Sequence, residues 1–309
     1  MIKKKIAILL PYKDNFTNSN AGSASIWVKD FNKKSLYKDQ ITIFGNTIFL
    51  KDLIDKKRYR NLYMNKKTFG SKNVIYVNEF IKHANLNKLD LVEIHNRPSY
   101  VHQIIRDKIN YKIALIFHNN PLTLGGSKTY NEREILLKRC EKLIFVSNWV
   151  KEKFFENFDK KNYPNCLVIY PSVNPVEQIH KKEKIISFVG KLNKSKGFHL
   201  FGNAIIKILK KYINWKSIIV GDEPREKYNF NHKNLEYKGW ISHNKTLKLY
   251  NKTSISVCAE PFLCSICHNN VEENEVIRKV DHCSHSFHIK CLETWLGQHN
   301  NCPLCRFQI

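Results

Sequence analysis

Between Cys264 and Cys305, eight thiol and imidazole side chains fall at metal-binding spacings: Cys264-x2-Cys267, then Cys283-x-His285-x2-His288-x2-Cys291, then Cys302-x2-Cys305. Six of the nine cysteines lie in this tail, so the pattern is not scattered chance. Eight donors suit two tetrahedral zinc sites, and each short C-x2-C or H-x2-C step turns two donors toward one ion. Disulfides are the competing use of the cysteines. A lysine-rich chain whose start does not read as a signal peptide points to a reducing compartment, and interposed histidines favour metal. His282 adjoins Cys283 and competes with His285 as a ligand, whereas His268 and His299 read as solvent-facing. A segment this short buries too little apolar surface to hold itself folded, and a structural zinc supplies roughly 10–16 kcal/mol of apparent binding free energy at neutral pH.

The order C3-H2-C3, with fifteen residues after the second ligand and ten before the seventh, resembles a RING-H2 finger. That resemblance implies an interleaved, cross-braced pairing, with Cys264, Cys267, His288 and Cys291 on one zinc and Cys283, His285, Cys302 and Cys305 on the other. It also implies the activity of a RING-type ubiquitin ligase. Ile266, Trp295 and Pro303 match the positions that form a shallow groove for a ubiquitin-conjugating enzyme. Arg306 matches the arginine that bridges this enzyme and its ubiquitin. The plainer reading is that Ile266 and Trp295 only build a small core and Pro303 only shapes a turn. No cysteine is left over in the module to carry ubiquitin, so the implied mechanism is positioning of the thioester, not covalent catalysis.

Charge is distributed unevenly. The chain has a formal net charge of +25, yet from Cys264 onward four Lys/Arg face five Asp/Glu, so the whole surplus sits upstream. Codon bias of an AT-rich genome explains such lysine richness, as does attraction to an anionic membrane surface or an anionic substrate; nucleic acid is the least favoured partner. The run Ile6–Leu10 is stopped by Pro11, Lys13 and Asp14, too short for a signal peptide, and no eighteen-residue apolar run exists. The expectation is a cytoplasmic protein, at most peripheral to a membrane.

Upstream of the tail the chain alternates short apolar strands with amphipathic helices. Strands are expected at 5–10, 41–44, 74–77, 91–94, 113–117, 143–146 and 167–169, and helices at 23–37, 98–108, 130–140 and 148–158. A polar, proline-containing stretch over 171–184 reads as a linker. The rhythm then resumes with strands at 185–189, 217–220, 235–237 and 255–258 and helices at 199–212 and 245–251. Unalternated strands separated by helices mean parallel sheets covered on both faces, that is, α/β architecture with two Rossmann-like, doubly wound halves and a ligand cleft at the carboxyl ends of the strands.

Residues 5 to 262 also resemble a family 4 glycosyltransferase of the GT-B fold, the retaining enzymes that use nucleotide sugars, and within these the bacterial transferases of surface glycans. The cues, in order, are Asn20-Ala-Gly-Ser23, His95-Asn-Arg-Pro98, His118-Asn-Asn-Pro-Leu122, Phe145-Val-Ser-Asn-Trp-Val150, the Phe188 to Gly197 stretch, Val220-Gly-Asp222 and Ala259-Glu-Pro-Phe262. The resemblance implies that Gly22 admits a donor diphosphate to a helix N-terminus. Lys191 and Lys196 would stabilise the departing nucleoside diphosphate, His118 would contact the transferred sugar, and Glu260 would hold sugar hydroxyls. The acceptor would be a glycan or a lipid-linked sugar. Lys191 stands where the family usually has arginine, so a forked contact becomes a point charge.

The two patterns meet abruptly. The family's second glutamate belongs at position 268, which is His268, already among the zinc-ligand spacings. The expected organisation is a first Rossmann-like domain at 1–175, an incomplete second one at 184–262 and the finger at 263–309, with no Gly/Ser/Pro linker before the finger. The missing glutamate puts sugar transfer in doubt. The leading expectation is therefore a zinc-binding, ubiquitin-transferring finger attached to a glycosyltransferase-like region; the alternative is a retaining hexosyltransferase.

Overall fold

The computed structural model describes residues 4–48, 50–64, 70–106, 111–160, 163–171, 181–223, 225–257, 264, 266–267, 277–280, 286–303 and 308. The chain divides into two compact units, residues 1–177 and 178–309.

The first unit alternates β1 (Ile6–Leu9), α1 (Ser23–Lys34), β2 (Ile41–Gly45), β3 (Tyr59–Asn61), α2 (Lys72–Asn87), β4 (Leu91–His95), α3 (Pro98–Arg106), β5 (Lys112–Phe117), α4 (Tyr130–Arg139), β6 (Lys142–Phe145), α5 (Asn148–Phe154) and β7 (Cys166–Val168). All seven strands are parallel, in the order β3-β2-β1-β4-β5-β6-β7. Ile6 pairs with Ile41 on one side and Leu91 on the other, so β1 is central. Its Ala7 and Leu9 enter one core cluster and Ile8 and Leu10 the other. Burial on both faces explains why this strand reads as an unbroken apolar run. The strand order reverses between β1 and β4, and the crevice at their carboxyl ends is where such sheets take ligands.

One expected element is wrong in kind. Val74–Val77 is not a strand but lies inside α2. Tyr76, Val77, Phe80, Ile81 and Ala84 are buried, a spacing that closes only on a 3.6-residue repeat, and a four-residue apolar window cannot reveal it. Strand β3 was not expected, because its three residues follow the charged run Lys56-Lys-Arg58. Helix α5 stops at Phe154, short of Phe158, where Asn157 takes a left-handed φ of 68°.

The second unit contains β8 (Glu183–Val189), α6 (Phe198–Lys211), β9 (Lys216–Val220), β10 (Leu235–Tyr237), α7 (His243–Lys252) and β11 (Thr253–Val257). These strands form a parallel sheet in the order β10-β9-β8-β11. Ile186, Phe188, Phe198, Phe201, Ile205, Leu209 and Ile219 form its core. The edge strand β11 is less covered, and Ser254, Ile255 and Ser256 are exposed. The expected linker residues 172–180 and strand residue Cys258 lie outside the described residues.

The tail forms an antiparallel pair, β12 (Ile277–Lys279) and β13 (Ser286–His288), followed by α8 (Ile289–Leu296). Its core consists of Cys264, Val280, Phe287, Leu292 and Cys302. Two of these five are cysteines, so among the described residues the buried apolar core is small. Among the described residues, no helix is long and apolar enough to cross a membrane.

Candidate metal centre and ligand pocket

The tail brings Cys264, Cys267, His288 and Cys291 together, with one ligand atom of each within 4.8 Å of the others. His288 closes β13 and caps α8, and Cys291 lies three residues on, so strand end and first helical turn aim both at one point. His288 Nδ1 is 3.2 Å from Cys267 Sγ and 3.8 Å from Cys291 Sγ. The His288 backbone N–H donates to Cys264 Sγ at 3.4 Å.

Bond lengths of about 2.3 Å to sulfur and about 2.0 Å to nitrogen place tetrahedral donors roughly 3.3–3.8 Å apart. Three thiols and one imidazole at these separations therefore fit zinc in both softness and size. The electrostatics agree. Burial acts to raise the Cys264 thiol, but backbone N–H groups of Cys267, His288 and Ile266 outweigh it and bring it down to about 7. Burial and the neighbouring thiols push Cys291 up to about 12. Adjacent thiols cannot all ionise without a cation among them.

Cys302 is buried in the tail core. Cys283, His285, Cys305 and Arg306 lie outside the described residues, as do His282 and His268. Ile266 is partly buried against the tail core, with the rest of its side chain open. The Trp295 indole N–H donates to the Asn301 carbonyl at 2.8 Å, and its ring stacks on His299 at 3.9 Å. That hydrogen bond fixes the half-buried Trp295 ring, and Pro303 is also half-buried. His299 is exposed but stacked, so its ring is not simply solvated.

In the first unit a cavity of about 400 Å³ opens at the carboxyl ends of β1, β4 and β5. Lys13, Asp14, Gly22, Asn96, Arg97 and His118 are among its lining residues. Asn96, at a φ of 54°, accepts the backbone N–H groups of His118 and Asn119, both at 3.2 Å, and so fastens the end of β5 to that of β4. Gly22 precedes α1 with an ordinary φ of −75°. A glycine is needed there for space, because a Cβ would lie 2.6 Å from both Asp14 carboxylate oxygens. The α1 N-terminus thus already holds an anionic group: Asp14 accepts the Ser25 hydroxyl at 2.5 Å. Burial raises the Asp14 carboxyl above its ordinary value, against the Ser25 hydrogen bonds that lower it.

His118 reaches inward to a second histidine. Its Nε2 is 3.0 Å from His95 Nδ1, and His95 Nε2 is 2.7 Å from Glu93 Oε1. His95 is completely buried, and Trp27 meets both imidazoles edge-on. Burial first, and then the neighbouring His95 imidazole, push the His118 imidazole down to about 3. Sequence reasoning singled out His118 and missed Glu93. The available signal was Glu-x-His at a strand end, since residues i and i+2 share a face.

In the second unit, Lys191 follows Gly190 at the end of β8 and is exposed. The Asn193 side chain accepts the Lys196 backbone N–H at 3.0 Å, and Gly197 takes a left-handed φ of 65° before α6. A cavity of about 440 Å³ beside this turn is lined by Leu192, Phe198, Glu223, Glu226, Tyr228 and Tyr237. Arg225 grips Glu223 through both carboxylate oxygens at 2.7 and 2.9 Å and holds it down to about 2. Glu226 accepts the Lys194 backbone N–H and the Tyr228 hydroxyl, each at 2.8 Å. These carboxylates beside the lysines were also missed, hidden in the polar run after Gly221. Glu260 lies outside the described residues.

Comparison with known proteins finds matches to two segments of the chain. Residues 262–306 match the family model for the ring finger domain, and residues 172–262 match glycosyl transferases group 1. The tail is similar to RING-H2 finger protein ATL54 of Arabidopsis thaliana, 36% identical over 80 residues, 23% of this chain and 19% of that protein. It is 54% identical over 43 residues to RING-H2 finger protein ATL52 of the same plant, 14% of this chain and 12% of that protein. An E3 ubiquitin-protein ligase of Oryza sativa subsp. japonica is 48% identical over 46 residues, 15% and 12% of the two chains. The chain thus spans only about a fifth or less of the length of these relatives.

Among solved structures, sucrose-phosphate synthase from Thermosynechococcus elongatus aligns with a TM-score of 0.59 at 14% identity, over 82% of this chain and 75% of that one. HepE of Anabaena, in complex with UDP and glucose, gives 0.59 at 14% over 85% and 77%. A glycosyltransferase from Rickettsia africae gives 0.57 at 17% over 84% and 73%. At such identities the likeness shows the fold, which is that of GT-B glycosyltransferases.

Proposed function

We propose that this chain recruits a ubiquitin-conjugating enzyme through its zinc-bound tail and promotes ubiquitin transfer from it. One zinc would be held by Cys264, Cys267, His288 and Cys291, and a second by Cys283, His285, Cys302 and Cys305. The observation that carries the reading is the convergence of the first four donors within 4.8 Å, in a segment that matches the ring finger domain. Bound zinc supplies folding free energy here, not chemistry on a substrate. The chain's own contribution is a rigid docking surface. Ile266 offers a partly open apolar side chain, Trp295 a ring fixed by its hydrogen bond, and Pro303 a half-buried ring, while Arg306 would meet the carried ubiquitin. Holding the thioester in a reactive geometry lowers the entropic part of the barrier. The test is discharge of ubiquitin from a charged conjugating enzyme to free lysine by the zinc-loaded full chain. Unchanged discharge after the zinc is stripped would overturn the proposal.

A second reading applies to the upstream region. The cavity lined by Gly22 and His118, at the point where the strand order reverses, supports binding of a nucleotide sugar, and within the second unit Lys191 and Lys196 flank the turn that leads into α6. On this reading the region either recognises a glycan or sugar-bearing surface for the ligase or transfers a hexose to a glycan or lipid-linked acceptor. Both lysines carry charge that suits a diphosphate, although Asp14 already occupies the α1 N-terminus. Native mass spectrometry with UDP-, GDP- and ADP-sugars tests it, and a protein that binds none of them would refute it.

A further inference from the structure

Glu93, His95 and His118 form a continuous hydrogen-bonded line from a partly exposed carboxylate, through a completely buried imidazole, to an imidazole that lines the cavity of the first unit. We propose that Glu93 and His95 are positioning residues that keep the proton of His118 on Nε2 and so present its Nδ1, a lone-pair acceptor, to a hydroxyl of a ligand in that cavity. The identity of the ligand rests on the nucleotide-sugar reading above; the placement of the proton does not.

An ionised carboxylate only accepts, so His95 Nε2 must carry the hydrogen in its 2.7 Å contact with Glu93. A neutral His95 then has a lone pair on Nδ1. One hydrogen sits in the 3.0 Å contact between the two rings, and it belongs to His118 Nε2. His118 is neutral as well, since burial disfavours its charged form. Its remaining nitrogen, Nδ1, has no other partner among the described residues. The competing arrangement places two hydrogens on His95, makes His118 Nε2 the acceptor and turns Nδ1 into a donor. It requires a cationic ring at a completely buried position, while Glu93 keeps some exposure to water and needs no cation beside it.

Geometry restricts how the line can fail. Trp27 meets the His95 and His118 rings edge-on, with centroids at 5.0 and 5.8 Å, and blocks a flip of either ring toward α1. Asn96 holds the His118 backbone at the same time. A buried imidazole fixed by a carboxylate on one nitrogen sets which nitrogen of its neighbour is available, as it does for a metal-bound histidine. Other charged groups of the cavity, Lys13, Asp14 and Arg97, reach it from the β1 and β4 loops, and among the described residues none of the three hydrogen-bonds to the His118 ring.

The experiment is long-range proton–nitrogen NMR on the full chain labelled with 15N-histidine, with His118→Asn used to assign the His118 resonances. The expected spectrum has a hydrogen bonded to His118 Nε2 and an unprotonated His118 Nδ1. In Glu93→Gln, whose amide can donate to His95 Nε2, the hydrogen between the rings should move toward His95 and a Nδ1–H population should appear on His118. A doubly protonated His95 in the wild-type protein, or a His118 tautomer indifferent to Glu93→Gln, would overturn the proposal. The wild-type spectrum decides even where the variant does not fold. UDP-glucose, but not UDP, should then shift the His118 Nδ1 resonance upfield. Binding without that shift overturns the ligand contact, whereas absence of binding refutes the nucleotide-sugar reading and leaves the wild-type spectrum to decide the proton's place.

Discussion

Cys267 Sγ and His288 Nδ1, 21 residues apart in sequence, lie 3.2 Å apart in space. Among the described residues no large apolar core holds them there: Val280, Phe287 and Leu292 are buried with two cysteines, and Ile266 and Leu296 pack partly buried against them. Zinc is therefore expected to be what keeps the tail folded. Stripping zinc from the full chain, or replacing Cys264 by Ser, should abolish hydrogen-exchange protection in α8 and in the β12–β13 pair and leave protection in β1 and β4 unchanged. A free-energy loss on the order of 10 kcal/mol for a structural zinc is enough to unfold a segment of this size. Protection of α8 that survives chelation would contradict the assignment.

The His118 imidazole gives the first unit an acid sensitivity. Its folded value is about 3 against an ordinary 6.5, so between those values the unfolded chain binds the extra proton. Stability is then unaffected by this group above about pH 6.5, falls as the pH drops through the window, and levels off near the folded value. The shift corresponds to a few kcal/mol at its lower end. In denaturant titrations across pH 7 to 4, the His118→Gln protein should show a shallower loss of stability than wild type. Parallel curves would show that His118 is not a buried neutral ring.

Gly221 takes a φ of 132°, and a Cβ there would lie 1.7 Å from the Gly190 carbonyl oxygen. These two glycines let the ends of β8 and β9 touch through their backbones. Gly221→Ala combines overpacking with a strained φ, and each costs roughly 1–3 kcal/mol. The second unit should unfold at a clearly lower denaturant concentration while the first is unchanged. A variant with wild-type stability would mean that the β8 and β9 loop ends are not this close.

Lys196 lies in a turn whose backbone is fixed by Asn193 and Gly197, so truncating its side chain should not disturb the turn. If the upstream region binds a nucleotide sugar, Lys196→Ala should weaken that binding about tenfold, the loss of one charge-assisted contact. Calorimetry that finds equal affinity for both proteins would remove Lys196 from the site.

What could be read from the sequence was what local patterns determine. Ile6–Leu10 and Ile113–Phe117 are continuous apolar runs because they are buried on both faces, and they were legible as parallel strands, as was Leu91–Ile94 despite its Glu93. The zinc donors were legible because their chemistry depends on short spacings. Val74–Val77 misled because four apolar residues suit a strand and a buried helix turn equally well. The Glu93–His95–His118 line and the Asp14 carboxylate at the start of α1 depend on which strands become neighbours. The His95–His118 and Asp14–Ser25 contacts join residues 23 and 11 positions apart and have no local signature, whereas Glu93 and His95 are two apart on one strand.

The account rests most heavily on the tail as a docking surface for a charged conjugating enzyme, and Ile266→Ala tests that most directly. Ile266 lies between two proposed zinc ligands and reaches Cys264 through its backbone N–H, which alanine keeps, so the variant should still bind zinc. With zinc content verified by native mass spectrometry, ubiquitin discharge by the variant should fall at least tenfold below wild type, as expected for removal of an interface anchor. Discharge at the wild-type rate by the zinc-loaded variant would contradict the groove, and with it the proposed function.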